Sequence, residues 1–195
     1  MLGRKGNGRA VKALPYNERR GDGLIMEEPP DERAKLLVIG VGNRHGGDDA
    51  LGLAAVEGLR GQTPKHVTLA EHSADGARLM ECWQGADAVI LIDAASSGAQ
   101  PGTIRRFDAS TAALPSRVVR HSTHAFGAAE AIELARALNR LPSRIIVYGV
   151  EGRCFEAGCE LSREAQSAIP AVIERVLDDI RTLRGVPNVT RGRGE

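Results

Sequence analysis

The chain has 195 residues, enough for one domain with a full core plus a tail. Charged residues make up 26% and nearly cancel to a formal net charge of +1, which gives no global pull toward nucleic acid or an anionic membrane. Aromatics are 3%, too few for a base-stacking platform, and no apolar run approaches the length that spans a bilayer.

Residues 1–33 are rich in glycine and charge, lack sustained periodicity and end their acidic part at Pro29–Pro30. They read as a flexible leader, dispensable for folding. Arg19–Arg20 is followed by GDGLIMEEPPDE, which has no apolar h-region, so a twin-arginine signal is not expected and a cytoplasmic location is. A single α/β domain is expected over 34–184, with 185–195 as a flexible tail.

LLVIGVG (36–42) is a continuous apolar run, as expected of a central strand covered on both faces. After a glycine turn, Asp48 could cap a helix with Leu51, Ala55, Val56 and Leu59 on one face, a role worth about 0.5–2 kcal/mol. HVTLAEH (66–72) reads as the second strand, and Ser73 or Asp75 opens a short helix running to Trp83. DAVILIDAA (87–95) is a second fully buried strand, and the more polar GTIRRFDA (102–109) suits an edge. Ala128, Ile132, Ala135 and Leu138 mark the next helix, and SRIIVYGVEG (143–152) the last strand. Ser162 is positioned to cap a long final helix with Ala165, Ile169, Val172, Val176 and Ile180 inward. Pro170 lies inside it and should kink it, because its missing N–H removes one rung.

This alternation implies a three-layer α/β/α sandwich around a mostly parallel five-stranded sheet. In such sheets ligands bind beyond the carboxyl ends of the strands. Asn43, Asp48, Asp49, Glu71, Asp93 and Glu151 fall there, and an edge this acidic suits a cation better than a phosphate.

A dinucleotide loop needs Gly-x-Gly-x-x-Gly. Gly40 and Gly42 fit, but His45 stands at the third position and two carboxylates occupy the place where a pyrophosphate would approach. Glu71 could stand in for the ribose-binding acid, yet the nucleotide reading loses. No Gly-Lys-Ser/Thr is present, which excludes a P-loop. Ser122 lies near His124, but without a Gly-x-Ser-x-Gly elbow a serine peptidase is not indicated. Cys82, Cys154 and Cys159 are odd in number with no CxxC pair, so neither a disulfide framework nor a zinc site is expected and reduced thiols are.

In order along the chain stand GxGNxxxxDDxxG, an apolar strand ending in IDAA, SSGAQPGTI, Ser122-Thr123-His124, and VYGVEGRCFEAGCELS leading into the last helix. This set resembles the hydrogenase maturation endopeptidases, which trim the large subunit of nickel–iron hydrogenases, from about Leu36 to about Leu183. The resemblance implies three metal-recognising and catalytic side chains: an acid after GxGN, an aspartate ending the third strand and a histidine in the S-x-H turn. Carried over, these are Asp49, Asp93 and His124. Members carry either Glu or Asp at the first position.

Carboxylate and imidazole are competent ligands for a divalent first-row metal, and three of them leave coordination positions open. The resemblance further implies a partner, the nickel–iron hydrogenase large-subunit precursor. It also implies nickel supplied by that precursor rather than tightly bound in the free protein. Bland readings stand beside these. Asp49 could be a first-turn acid favouring the helix dipole by about 0.3–1 kcal/mol. His45 could be a further polar neighbour of the site. Asn43 could hold its turn or donate to a peptide carbonyl. The non-enzymatic alternative is a metal-recognising chaperone that binds the precursor without cutting it. No signature of an oligomeric state is present.

Overall fold

A computed structural model describes residues 35–73, 75–115 and 127–183. The expected leader over 1–33, the tail over 185–195, and His121, Ser122 and His124 lie outside the described residues.

Five strands form one sheet in the order β2-β1-β3-β5-β4. They are β1 (Leu36–Val41), β2 (Val67–His72), β3 (Ala88–Ala95), β4 (Ile104–Asp108) and β5 (Arg144–Glu151). All neighbours are parallel except β4, which runs antiparallel along β5 at the edge. The expected architecture is therefore observed, and the polar strand takes the edge position its composition suits.

Alternation along the central strands divides the core into two dry layers. Leu36 and Val38 of β1, Ala88, Ile90 and Ile92 of β3, and Ile146, Tyr148 and Val150 of β5 face one side. Helices α1 (Leu51–Leu59) and α4 (Arg163–Leu183) cover them with Leu51, Ala55, Val56, Leu59, Ala165, Val172, Val176 and Ile180. Leu37, Ile39 and Val41, Val89 and Leu91, and Ile145 and Val147 face the other side. That layer is closed by α2 (Gly76–Cys82) and α3 (Ala128–Ala137) through Leu79, Ala131, Ile132 and Ala135.

The helix starts are specified locally. Asp75, rather than Ser73, caps α2 by accepting from the backbone N–H of Ala77 and Arg78 at 3.1 and 3.3 Å. At α3, Glu130 reaches back to accept from the Gly127 N–H at 3.0 Å. Ser162 caps α4 as expected, its Oγ accepting from Ala165 N at 3.2 Å. Helix α4 contains Pro170 in its interior, as expected, and its inward seam of Ala165, Ala168, Val172, Val176 and Ile180 packs on both sides of the lost rung. One expectation needs adjustment. Leu138 is 52% exposed because α3 ends at Ala137 and the helical register stops there.

One close approach fixes how α1 sits on the sheet. A Cβ at Gly52 would lie 2.3 Å from the Ile92 carbonyl oxygen and 2.4 Å from that of Val41. Both are backbone atoms of central strands and cannot move aside. Gly52→Ala is accordingly expected to destabilise by about 1–3 kcal/mol or more. Gly58→Ala on the same helix meets only the flexible tip of Ile173 and gains about 1 kcal/mol of helix propensity, so it should be near neutral. Urea unfolding of the two variants checks the contrast, and equal losses would refute it.

Candidate active site

The turn between β1 and α1 carries the acidic pair. Asn43 Oδ1 accepts from the His45 N–H at 3.0 Å, so the side-chain oxygen of Asn43 holds the turn. The chain then enters a single 3₁₀ turn, Gly47–Ala50, in which both Asp48 and Asp49 are buried. At three residues per turn, neighbouring side chains point about 120° apart, so the two carboxylates cannot face the same way.

Asp48 faces inward and is 0% exposed. One oxygen accepts from the backbone N–H of Arg153 at 2.6 Å, that of Cys154 at 3.1 Å and the Ser162 hydroxyl at 2.9 Å, while the other accepts from Ser162 N at 2.6 Å. Burial by itself would push this carboxyl up, but the donors from Arg153, Ser162 and Cys154 outweigh it and hold the group below the usual range. The expectation that Asp48 caps α1 is therefore corrected. No side chain caps α1, and the carboxylate instead ties its turn to a segment more than a hundred residues further along the chain.

Two other acids of this edge are also engaged. Glu151, 4% exposed, accepts from the N–H groups of Ser97, Gly98 and Ala99 at 2.7, 2.7 and 3.1 Å and from the Ser97 hydroxyl at 2.7 Å. It thereby shapes the loop that follows β3. Glu71, at the end of β2, pairs with Arg44 and with Arg60, the latter at 3.2 Å. Burial would raise its carboxyl, and the two guanidiniums more than reverse this.

Asp49 and Asp93 are the other two acids of this edge. Asp49 is 8% exposed and Asp93 is half-buried at the end of β3, one residue past the last β1–β3 rung, Gly40 with Ile92. The side chain of Asp93 follows Val89 and Leu91 onto the α2–α3 side, and its partner across β5 is Gly149, which places no side chain beside it. Loss of solvent first, then the neighbouring Asp49 charge and more weakly that of Glu130, push Asp93 up to about 8 against a donated hydrogen bond from Ala94 N. Asp93 is thus largely protonated at neutral pH. A buried carboxyl raised by loss of solvent and by a neighbouring acid is the kind of group found at acid–base or cation-meeting sites.

The third candidate, His124, lies outside the described residues, three positions before Gly127 at the start of α3. Among the described residues no group of three His, Cys, Asp or Glu side chains gathers as a metal site. His45 is exposed and lines a shallow cavity of about 390 Å³ beside the turn, together with Arg44, Leu53, Glu71 and His72. A larger cavity of about 540 Å³ opens at the opposite, amino-terminal edge of the sheet against Met80, Trp83, Asp87, Leu134 and Leu141. It contains none of the candidate acids, and α/β sheets carry their chemistry at the other edge.

The cysteines correct a second expectation. Cys154 and Cys159 are joined as a disulfide, while Cys82 is unpaired. Gly158, at φ +88°, turns the intervening segment back on itself and brings the two residues together. A spacing of CxxxxC does not announce such a turn.

A mostly parallel five-stranded sheet with helices on both faces is a three-layer α/β/α domain. The family model for hydrogenase maturation proteases matches residues 54–179, and the chain belongs to that family. It is 26% identical over 168 residues to the hydrogenase expression/formation protein HupD of Rhizobium leguminosarum bv. viciae, covering 85% of this chain and 83% of that protein. The hydrogenase 2 maturation protease of Escherichia coli is 28% identical over 152 residues, 75% of this chain and 91% of its own length. The solution structure of an endopeptidase from Escherichia coli superposes with a TM-score of 0.67 at 27% identity, covering 76% of this chain and 93% of that one. No described helix is long and apolar enough to cross a membrane.

Two predictions separate the aspartates. Asp48→Ala strands three part-buried N–H donors around a fully buried position and should cost roughly 3 kcal/mol or more, beyond the range of a lost helix cap. Urea unfolding measures this, and a loss under about 1 kcal/mol would refute the inward role. For Asp93 the sign is opposite. Its folded value of about 8 lies above the ordinary aspartate value of 3.8, so between those values the folded state holds a proton that the unfolded state has released. Stability contributed by this group falls as pH rises through that window. Asp93→Asn removes the dependence, and its stability relative to the parent should climb from pH 4 to pH 8. Parallel stability–pH curves would overturn the assignment.

Proposed function

We propose that this protein is a cytoplasmic endopeptidase that removes the C-terminal extension of a nickel–iron hydrogenase large-subunit precursor after nickel insertion. The observation that carries this reading is the closeness of two carboxyls at the carboxyl edge of the sheet. Asp49 in the turn after β1 stands near enough to Asp93 at the end of β3 for its charge to raise the Asp93 carboxyl, while Asp48 and Glu151 serve as internal pins. His124, carried over from the family motif, completes the set.

In this reading nickel is the substrate's cargo, ligated by precursor thiolates. Two carboxylates and an imidazole make a weak resident site but suit brief additional ligation of a metal that another protein already holds. Such ligation fixes the scissile peptide beside the pair, in the neighbourhood of the cavity formed by Arg44, His45, Leu53 and His72. An ionised carboxylate there can take a proton from the attacking water, and a protonated neighbour can donate one to the leaving amine. The bound nickel supplies carbonyl polarisation where it contacts the peptide.

Incubating the purified protein with nickel-loaded and nickel-free precursor tests this reading. A lower-mass large subunit should appear only with the loaded form. Asp49→Ala, Asp93→Ala and His124→Ala should each lower the rate by at least about 10²-fold with the fold retained. Elemental analysis should find less than one metal per chain. Efficient cutting of nickel-free precursor would sink metal recognition, and tight binding without any cutting would indicate a non-cleaving chaperone.

A further inference from the structure

We propose that the Cys154–Cys159 disulfide is a reversible dithiol–disulfide exchange site whose state sets how firmly the Asp49 turn is held. The placement of the bridge carries this. Cys154 grips the turn twice, its carbonyl accepting from Asp48 N at 2.8 Å and its N–H donating to Asp48 Oδ2 at 3.1 Å. The far end of the bridged segment grips it a third time, through the Gly158 N–H donated to the His45 carbonyl at 3.2 Å. Between these anchors the backbone of Gly47, at φ +60°, lies flat against the bridge. A Cβ there would stand 2.5 Å from the Cys154 carbonyl oxygen and 2.9 Å from Cys159 Cβ. One face of the turn that presents Asp49 is thus built against the disulfide.

The bridge is also reachable. Cys154 and Cys159 are half-buried, and Glu156, Ala157 and Gly158 between them are exposed, so a dithiol can approach from solvent. The partner class is a dithiol reductant. One of its thiolates attacks a bridge sulfur and displaces the other as a thiolate, giving a mixed disulfide. Its second thiolate then displaces the protein sulfur, leaving two protein thiols and an oxidised reductant; two electrons and two protons pass to the protein pair. With the bridge open, the Gly158 end of the segment is no longer tethered to Cys154, and the turn keeps its local bonds to Asn43 and its hold through Asp48 but loses the bridged wall against Gly47. Reduction therefore loosens His45–Gly47 while the buried Asp48 cluster and the core stay in place. Asp48 and the two cysteines act as positioning residues in this scheme.

The consequence for processing rests on the proposed peptidase activity, so the test has an arm independent of it. The full-length protein, carrying Cys82→Ser to leave only the pair, is compared oxidised and after dithiothreitol. Mass spectrometry after thiol alkylation should show the pair closed, then open, then closed again on reoxidation. Amide chemical shifts of residues 45–49 should move on reduction, and those of the β1 and β3 core should not. In single-turnover assays with nickel-loaded precursor, reduction should slow cleavage roughly tenfold or more, the scale on which displaced catalytic groups lose rate. Apparent precursor affinity should change less. Cys154→Ser/Cys159→Ser should reproduce the reduced form and ignore dithiothreitol. Thiols that stay free under oxidising conditions, or shifts at 45–49 that ignore the bridge, would overturn the proposal. Equal cleavage rates in both states would overturn it as well. Shifts that respond while neither state cleaves any precursor would leave the exchange site standing and refute the peptidase reading.

Discussion

The carboxylate of Asp48 is the interaction on which the geometry of this edge depends. It is wholly buried and charged, and such a group is tolerated only when every lone pair meets a donor. The donors come from Arg153, Cys154 and Ser162, at the end of β5 and the start of α4. Neither side can be relaxed alone. Without the carboxylate the N–H groups are stranded, and without them the charge is. The turn after β1 is therefore fixed to the loop after β5, and Ser162 passes the constraint on by capping α4 with the hydroxyl that donates to Asp48. Asp49 inherits its position from this clasp. Its direction follows from standing next to an inward residue in a 3₁₀ turn.

Acidity at the carboxyl edge is consequently far less diffuse than five carboxyl groups suggest. Two are structural pins, Asp48 for the 153–162 segment and Glu151 for the loop over Ser97–Ala99. One is neutralised on the surface by Arg44 and Arg60. Asp93 lacks such compensation and rises to about 8, mainly because burial disfavours its charge and then because Asp49 is close. A domain selected only for stability would replace Asp93 with an apolar residue in keeping with Val89 and Leu91 below it. An acid on the same face of the same strand is a local conflict between burial and charge that the apolar pattern of β3 does not explain.

Legibility in the sequence followed the range of the interactions. β1 and β3 were readable because continuous apolar runs need cover on both faces, and that requirement is local. The short polar run IRRF gave away an edge. The position of Asp93 at the carboxyl end of β3 was readable for the same reason, because the buried run fixes where that strand ends. The division between Asp48 and Asp49 was not, since the partners of Asp48 are supplied by residues more than a hundred positions away. A first-turn aspartate looks like a cap until those partners are folded over it. The bridge between Cys154 and Cys159 was hidden similarly, because a five-residue separation closes only where the backbone turns back, as it does at Gly158. Glu151 looked like a site acid because strand position alone does not show that three N–H groups of the next loop point at it.

Sheet register then explains why the acid pair forms where it does. The β1–β3 ladder ends at Gly40 with Ile92, so Asp93 is the first residue of β3 with no rung to β1, and the chain of β1 turns away at Gly42. Across β5 the position opposite Asp93 is Gly149, which adds no side chain on that face. Gly52 lets α1 sit directly on the backbone of Val41 and Ile92, which brings the turn ahead of it down onto the end of β3. A bulkier residue at Gly52 would lift α1, and with it Asp49, away from Asp93. Burial raises Asp93 most, and the smaller contribution from the Asp49 charge is thus a product of glycine-permitted closeness, imposed by the packing of apolar neighbours that carry no charge themselves.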